Sequence, residues 1–178
     1  MKEINWKKIN EKIVYSGYRD IIKRTFKFPN NKTSDFDIVS SKNAVNMLAL
    51  TPDNEVILIE QFRPGPEKKF IMLSGGLIND KETPLNAAKR EMLEETGYSG
   101  DFEFISTFYQ CAYMTEKVYC YIVRNCKKLK NVKHEDGEFL NLIKMPLNEF
   151  RVGLKTGKIG NINELLTAYI CLDYLNLL

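Results

Sequence analysis

An α+β fold with a small N-terminal antiparallel β lobe is what this sequence predicts, and three observations carry the prediction. Most apolar runs are short, rich in Val, Ile, Tyr and Phe, and bounded by turn residues. One helix is marked at both ends by capping signals, and another closes the chain. The helical segments are few and do not alternate regularly with strands, which argues against repeated βαβ units.

In order along the chain, residues 12–28, KIVYSGYRDIIKRTFKF, alternate apolar and polar residues. FPNNKTSD follows as a turn, and SDFDIVSS as a second short strand. Together these predict a hairpin, so that residues 1–42 form the lobe, with its strands in about 12–42. Residues 43–178 are then the main domain. AVNMLAL and EVILIEQFR are apolar strands joined by Thr51-Pro52-Asp53-Asn54, a strong hairpin signal. RPGPEKK is a loop, FIML a short strand, and Ser74-Gly75-Gly76 a sharp break in the backbone.

The clearest helix comes next. Thr83 suits the N-cap, Pro84 the first helical position and Gly97 the stop. Leu85, Ala88 and Met92, with Leu93 nearby, make its apolar stripe, and Arg90, Glu91, Glu94 and Glu95 lie largely on the other side. DFEFISTFYQ, KVYCYIVRNC and FLNLIKM read as strands, with NVKHEDGE a polar loop before the last. MPLNEFRVGLKTG begins a short helix, and NINELLTAYICLDYLNLL is a closing helix capped by Asn161 or Asn163.

Composition excludes several classes of function. At 178 residues and 44% hydrophobic the chain has ample material for a core. A net charge of +3, with scattered Lys and Arg, gives no footprint for nucleic acid or a membrane surface. No apolar run approaches the ~20 residues of a membrane helix, and the charged start MKEINWKKINEKI lacks the apolar segment of a signal peptide. Cys111, Cys120, Cys126 and Cys171 show no CxxC pairing and read as buried free thiols in a reducing cytoplasm. His134 is the only histidine, which disfavours both a structural zinc site and a Ser-His or Cys-His nucleophile.

One stretch demands an explanation. KREMLEETG places Glu91, Glu94 and Glu95 within five residues, at helical spacings that put three carboxylates on one side. Like charges so placed repel by a few tenths of a kcal/mol. A solvated face with Arg90 pairing to Glu94 is the plain reading. A cluster of hard oxygen ligands for Mg²⁺ or Mn²⁺ is the sharper one, because a divalent ion turns the repulsion into attraction.

The set Gly76, Glu82, Arg90, Glu91, Met92, Glu94, Glu95 and Gly97 resembles the Nudix box, G-x5-E-x7-R-E-U-x-E-E-x-G-U, with U a bulky aliphatic residue. Only the last position departs, with Tyr98 there. Seven such identities in fixed register arise by chance at roughly one in 10⁸ per starting position, given ordinary residue frequencies. The resemblance implies a Nudix α/β/α sandwich that hydrolyses a diphosphate linked to another group. It further implies that Glu91, Glu94 and Glu95 hold the metal, that Arg90 holds the glutamates, and that Glu82 orients the helix or reaches the metal through water.

VILIEQFRPGP, EDGEFLNLIKMPLNEF and GKIGNINELLTAYICLDYL, with the N-terminal lobe, are similar to ADP-ribose pyrophosphatases. That similarity implies a homodimer with exchanged lobes, and hydrolysis of ADP-ribose or a related nucleoside diphosphate sugar. It implies the Gly75 carbonyl as a further metal ligand, Arg63 as a phosphate clamp, and Tyr18 and Phe36 as adenine-stacking aromatics. The acidic loop His134–Glu138 falls where the family keeps a catalytic carboxylate. Glu138 is the first choice for the general base, Asp136 the second and Glu135 the third, with Glu94 the fallback inside the box. Two departures stand out. Cys111-Ala112-Tyr113-Met114-Thr115-Glu116 keeps a glutamate but lacks the family's Pro-Gly, and Met72 stands near where a glutamate is usual. The first leaves other nucleoside diphosphate sugars open, and the nearest rival reading is a hydrolase of another nucleotide, such as a GDP-sugar or a dinucleoside polyphosphate. A non-catalytic Nudix module that senses a nucleotide is the reading from a different class.

Overall fold

A computed structural model describes residues 5–132, 140–160 and 162–178. Its described elements run β1 (Lys7–Tyr15), β2 (Asp20–Lys27), β3 (Thr33–Ser40), β4 (Ala44–Leu50), β5 (Glu55–Arg63), β6 (Lys68–Met72), β7 (Ser74–Leu77), α1 (Pro84–Thr96), β8 (Tyr98–Tyr109), β9 (Lys117–Lys128), β10 (Leu140–Pro146), α2 (Leu147–Lys155) and α3 (Ile162–Tyr174). The α+β reading therefore holds. The chain divides into two compact units, one of Met1–Asn43 with Tyr109–Lys117, the other of Ala44–Phe108 with Val118–Leu178.

The first unit carries a three-stranded antiparallel sheet, β1-β2-β3, where the sequence suggested a two-stranded hairpin. The difference lies at Ser16-Gly17-Tyr18-Arg19. Those residues turn the chain in the middle of what reads as one alternating run, and β1 starts as early as Lys7. On one face of this sheet Trp6, Phe26, Phe28 and Phe36 pack ring against ring, with centroids 4.5–6.4 Å apart. Residues 109–117 join the same unit through β3. The Val39 N–H donates to the Tyr113 carbonyl, and the Thr115 N–H donates to the Val39 carbonyl. The Lys117 N–H donates to the Asn43 side chain, and the Tyr113 ring stacks on Phe36 at 6.5 Å.

The second unit is a seven-stranded mixed sheet in the order β10-β5-β4-β9-β8, with β6 beside β5 and β7 beside β4. Strand β4 lies parallel to β9 and antiparallel to β5 and β7. Alternate residues of β4 feed two cores. Val45, Met47 and Ala49 pack with Ala87, Ala88 and Met92 of α1. Leu48 and Leu50 pack with Phe150 and Leu154 of α2 and Ala168, Cys171 and Leu172 of α3. Helices thus cover both faces of the sheet, which is the expected sandwich.

Thr51–Asn54 makes the expected turn, closed by the Asn54 N–H on the Thr51 carbonyl, with Asn54 left-handed at φ 58°. Three local expectations change. Ser74–Gly76 is no break but the start of a strand, β7, paired with β4 residue for residue. A Cβ on Gly75 would strike the Val45 carbonyl, so glycine here serves close strand approach. The buried stripe of α1 is Ala87, Ala88, Met92 and Thr96, while Leu85 is 38% exposed and Leu93 half-buried. Two small alanines let the helix sit close to the sheet, and the leucines fall beside the contact. Cys120, Cys126 and Cys171 are buried free thiols as expected, but Cys111, in the segment that pairs with β3, is exposed. The closing helix begins at Ile162, which places Asn163 in its first turn; Asn161 lies outside the described residues.

Candidate active site

Helix α1 forms as its sequence requires. The Thr83 hydroxyl accepts the Asn86 N–H, Pro84 opens the first turn, and Gly97 ends the helix at φ 74° with its N–H on the Leu93 carbonyl. That frame fixes which residues face strand β7. They are Arg90, Glu91 and Glu95.

Arg90 is the hub. Its Nε donates to Glu82 Oε1 and one terminal nitrogen to Glu82 Oε2, both at 2.9 Å, a two-pronged contact. The same nitrogen donates to the Leu77 carbonyl at 3.0 Å. The other donates to Glu91 Oε1 at 2.7 Å and Glu94 Oε2 at 3.1 Å. One guanidinium therefore offsets three carboxylates and ties the helix to the loop before it. The Asn79 N–H completes Glu82, whose carboxyl is held below its ordinary range, first by Arg90.

Glu95 is held differently. Oε2 accepts the Ser74 hydroxyl at 2.7 Å and the Gly75 N–H at 3.0 Å. Burial outweighs these bonds and the nearby Arg63 charge, pushing the Glu95 carboxyl up to about 8. Glu91 is raised as well, chiefly by burial, against the pull of Arg90. Its carboxylate lies over Gly76, where any Cβ would run into it. Repulsion among the carboxylates adds to these shifts behind burial, and Arg90 offsets part of it from inside the protein. Glu91 and Glu95 are thus carboxylates held partly out of water.

These are all-oxygen donors on a rigid helix, beside a glycine whose missing Cβ makes room for a carboxylate. The chemistry of that set fits a hard divalent cation. Among the described residues no three Asp, Glu, His or Cys side chains stand placed around one point as ligands of a metal ion. Arg90 draws Glu91 and Glu94 toward itself while Ser74 and Gly75 hold Glu95, and Glu94 is 55% exposed.

Arg63 ends β5 with its Nε 3.3 Å from the Met72 sulfur, and its charge is felt at Glu95. The site thus brings together Arg63, Gly75, Glu82, Arg90, Glu91 and Glu95, with Glu94 at its outer edge. Tyr18 and Phe36 belong to the first unit. Tyr18 is 88% exposed on the turn before β2, and Phe36 packs in the aromatic cluster. Glu135, Asp136 and Glu138 lie outside the described residues. Two residues carry more than their sequence signal suggested. Ser74 reads as turn punctuation yet supplies a buried hydroxyl to Glu95. Glu116 is almost fully buried, 3.9 Å from Arg19 and raised by desolvation, although nothing near it in sequence marks it as interior.

The raised carboxyl of Glu95 makes a pH prediction. Its unfolded value is 4.5 and its folded value about 8, so between them the folded state holds a proton that the unfolded chain has lost. Stability is full below the lower value and falls as pH rises toward the upper one. In EDTA, thermal unfolding from pH 5 to pH 9 should show a loss on the order of several °C in Tm. Glu95→Gln should remove most of that slope; equal slopes in both proteins would contradict the assignment.

Comparisons with known proteins bear on the family and the fold. The NUDIX domain family matches residues 41–166. ADP-ribose pyrophosphatase of Bacillus subtilis is 28% identical across 99% of this chain and 96% of its own length. Methanol dehydrogenase activator of Bacillus methanolicus is 31% identical over 74% of this chain and 72% of that protein. ADP-sugar pyrophosphatase of mouse is 31% identical over 71% of this chain and 66% of that one. A crystal structure of an ADP compounds hydrolase superposes with a TM-score of 0.86, covering 99% of this chain and 97% of that one at 20% identity, a likeness of fold. With the family matched across most of the chain and the box residues gathered around one arginine, the protein belongs to the Nudix family and is a hydrolase resembling ADP-ribose pyrophosphatases.

Proposed function

We propose that the protein hydrolyses the diphosphate of ADP-ribose or a related nucleoside diphosphate sugar, using Mg²⁺ or Mn²⁺. The observation that carries this reading is the pair of carboxylates, Glu91 and Glu95, gathered partly out of water against Gly75 and Gly76, with the Arg63 charge felt at Glu95. The names of the relatives, two of them pyrophosphatases of ADP-ribose or ADP-sugars, support the substrate class.

In this reading Glu91, Glu94, Glu95 and the Gly75 carbonyl hold the ion, which when bound neutralises diphosphate charge and acidifies a water. Arg90 keeps the glutamates in register. Arg63 binds a phosphate oxygen. Glu138, with Asp136 as second choice, takes the proton from the attacking water, and Tyr18 and Phe36 stack on the adenine. Water adds to one phosphorus and the bond from that phosphorus to the bridging oxygen breaks. A nucleoside monophosphate and a sugar phosphate result, AMP and ribose 5-phosphate in the case of ADP-ribose.

A nucleotide panel with Mg²⁺ tests this reading. Turnover of ADP-ribose or another ADP-sugar, abolished by EDTA, is the expected result. Preference for a GDP-sugar or a dinucleoside polyphosphate would move the substrate class, and binding without turnover would favour the nucleotide-sensing alternative.

The proposed protein acts in the cytoplasm as a homodimer, with residues of about 12 to 42 contributing to the partner's site. Support comes from β1, a nine-residue strand at the end of its sheet on which every residue is exposed, including Ile9, Ile13, Val14 and Tyr15. Such an edge invites a covering chain. Light scattering at micromolar concentration should give twice the chain mass; a fully active monomer would contradict it. No described helix is long and apolar enough to cross a membrane.

A further inference from the structure

We infer that Ser74 is a positioning residue for Glu95, and that its hydroxyl sets the carboxylate orientation on which metal affinity depends. The inference rests on the metal-dependent reading above. Ser74 is the first residue of β7, directly opposite Met47 of β4, and it is fully buried. Backbone pairing on β4 therefore fixes its Cα, and burial restricts its rotamer. From that fixed point the hydroxyl donates to Glu95 Oε2 at 2.7 Å. The neighbouring Gly75 N–H donates to the same oxygen at 3.0 Å.

Two donors on consecutive residues of one strand thus converge on a single oxygen. The backbone donor alone leaves the carboxylate free to rotate about its Cγ–Cδ bond around one anchor. The second donor, from a different direction, removes that rotation and commits Oε2 to β7. The remaining oxygen, Oε1, is then the one presented to an ion. Partners of this kind, which orient a ligand without touching the metal, change metal affinity by roughly 10–100-fold when removed.

Thr96 provides the contrast. It is also buried and also carries a hydroxyl, but its Oγ1 donates to the Met92 carbonyl within α1 and accepts the Tyr98 N–H. Loss of that hydroxyl should cost stability without disturbing the site.

The test is Mn²⁺ binding, measured by electron paramagnetic resonance on the parent, Ser74→Ala and Thr96→Ala proteins, with Tm in EDTA recorded for each. Ser74→Ala should weaken Mn²⁺ binding ~10-fold or more, and raise the Mg²⁺ concentration for half-maximal turnover by a similar factor. Thr96→Ala should bind Mn²⁺ like the parent while its Tm falls. Parent-like binding by a folded Ser74→Ala protein would overturn the role of Ser74 and leave the metal reading standing. Equal weakening in both variants would reduce Ser74 to a general packing effect and overturn its special role. Absence of Mn²⁺ binding by the parent would overturn the metal reading, and this inference with it.

Discussion

Glu95→Gln should lower turnover by ~10²–10³-fold while the protein remains folded. The amide has the size of the carboxylate, and its carbonyl oxygen can still accept the Ser74 hydroxyl and the Gly75 N–H that Oε2 accepts now. What it cannot do is bring a negative charge to a divalent ion. Metal ions contribute several kcal/mol of charge stabilisation to such reactions, and each 1.36 kcal/mol is tenfold in rate. A partial loss of that contribution therefore falls in the stated range. The substitution also removes a costly buried charge, so in EDTA at pH 9 the variant should unfold at a higher temperature than the parent. Activity and alkaline stability should move in opposite directions. Unchanged turnover in a folded Glu95→Gln protein would refute the metal assignment; low activity with a depressed Tm would indicate damage to the fold instead.

Glu138→Gln should cost a further large factor, ~10²–10⁴ in kcat, with little change in KM. The carboxylates of α1 can hold an ion, but a water must also be oriented and relieved of its proton. Glu91 is committed to Arg90, and Glu95 to Ser74 and Gly75. Glu94 shares Arg90 from a largely exposed position. The resemblance to ADP-ribose pyrophosphatases puts the base beyond the box, where Glu138 comes two residues before β10 begins at Leu140. Single-turnover rates for Glu138→Gln, Asp136→Asn and Glu135→Gln will rank the loop. A large loss on Asp136→Asn with Glu138→Gln nearly silent would shift the base to Asp136. Silence of all three would send it back into the box, to Glu94.

The sequence alone determined the family, the α+β class, the limits of α1 and the set of charged residues around it. These are local properties. Thr83, Pro84 and Gly97 act within one turn of the helix ends, and the box residues are set by spacing along one helix and the loop before it. Tertiary structure decided how those charges are partnered. Whether Glu91 and Glu95 face water or strand β7 depends on which side of α1 packs on β4, and the small residues Ala87 and Ala88 settled that against the larger Leu85. The same contact turned Ser74-Gly75-Gly76 from apparent punctuation into a paired strand, since glycine signals a turn in sequence but close strand approach once a partner is present. The pairing of residues 109–117 with β3 depends on contacts between residues far apart in the chain, and no periodicity within either segment encodes it. The third strand of the first unit is a local hairpin instead, turned at Ser16–Arg19 inside one alternating run. Burial is likewise a property of the assembled fold. It raised Glu95 to about 8 and left Arg90 to offset three of its neighbours.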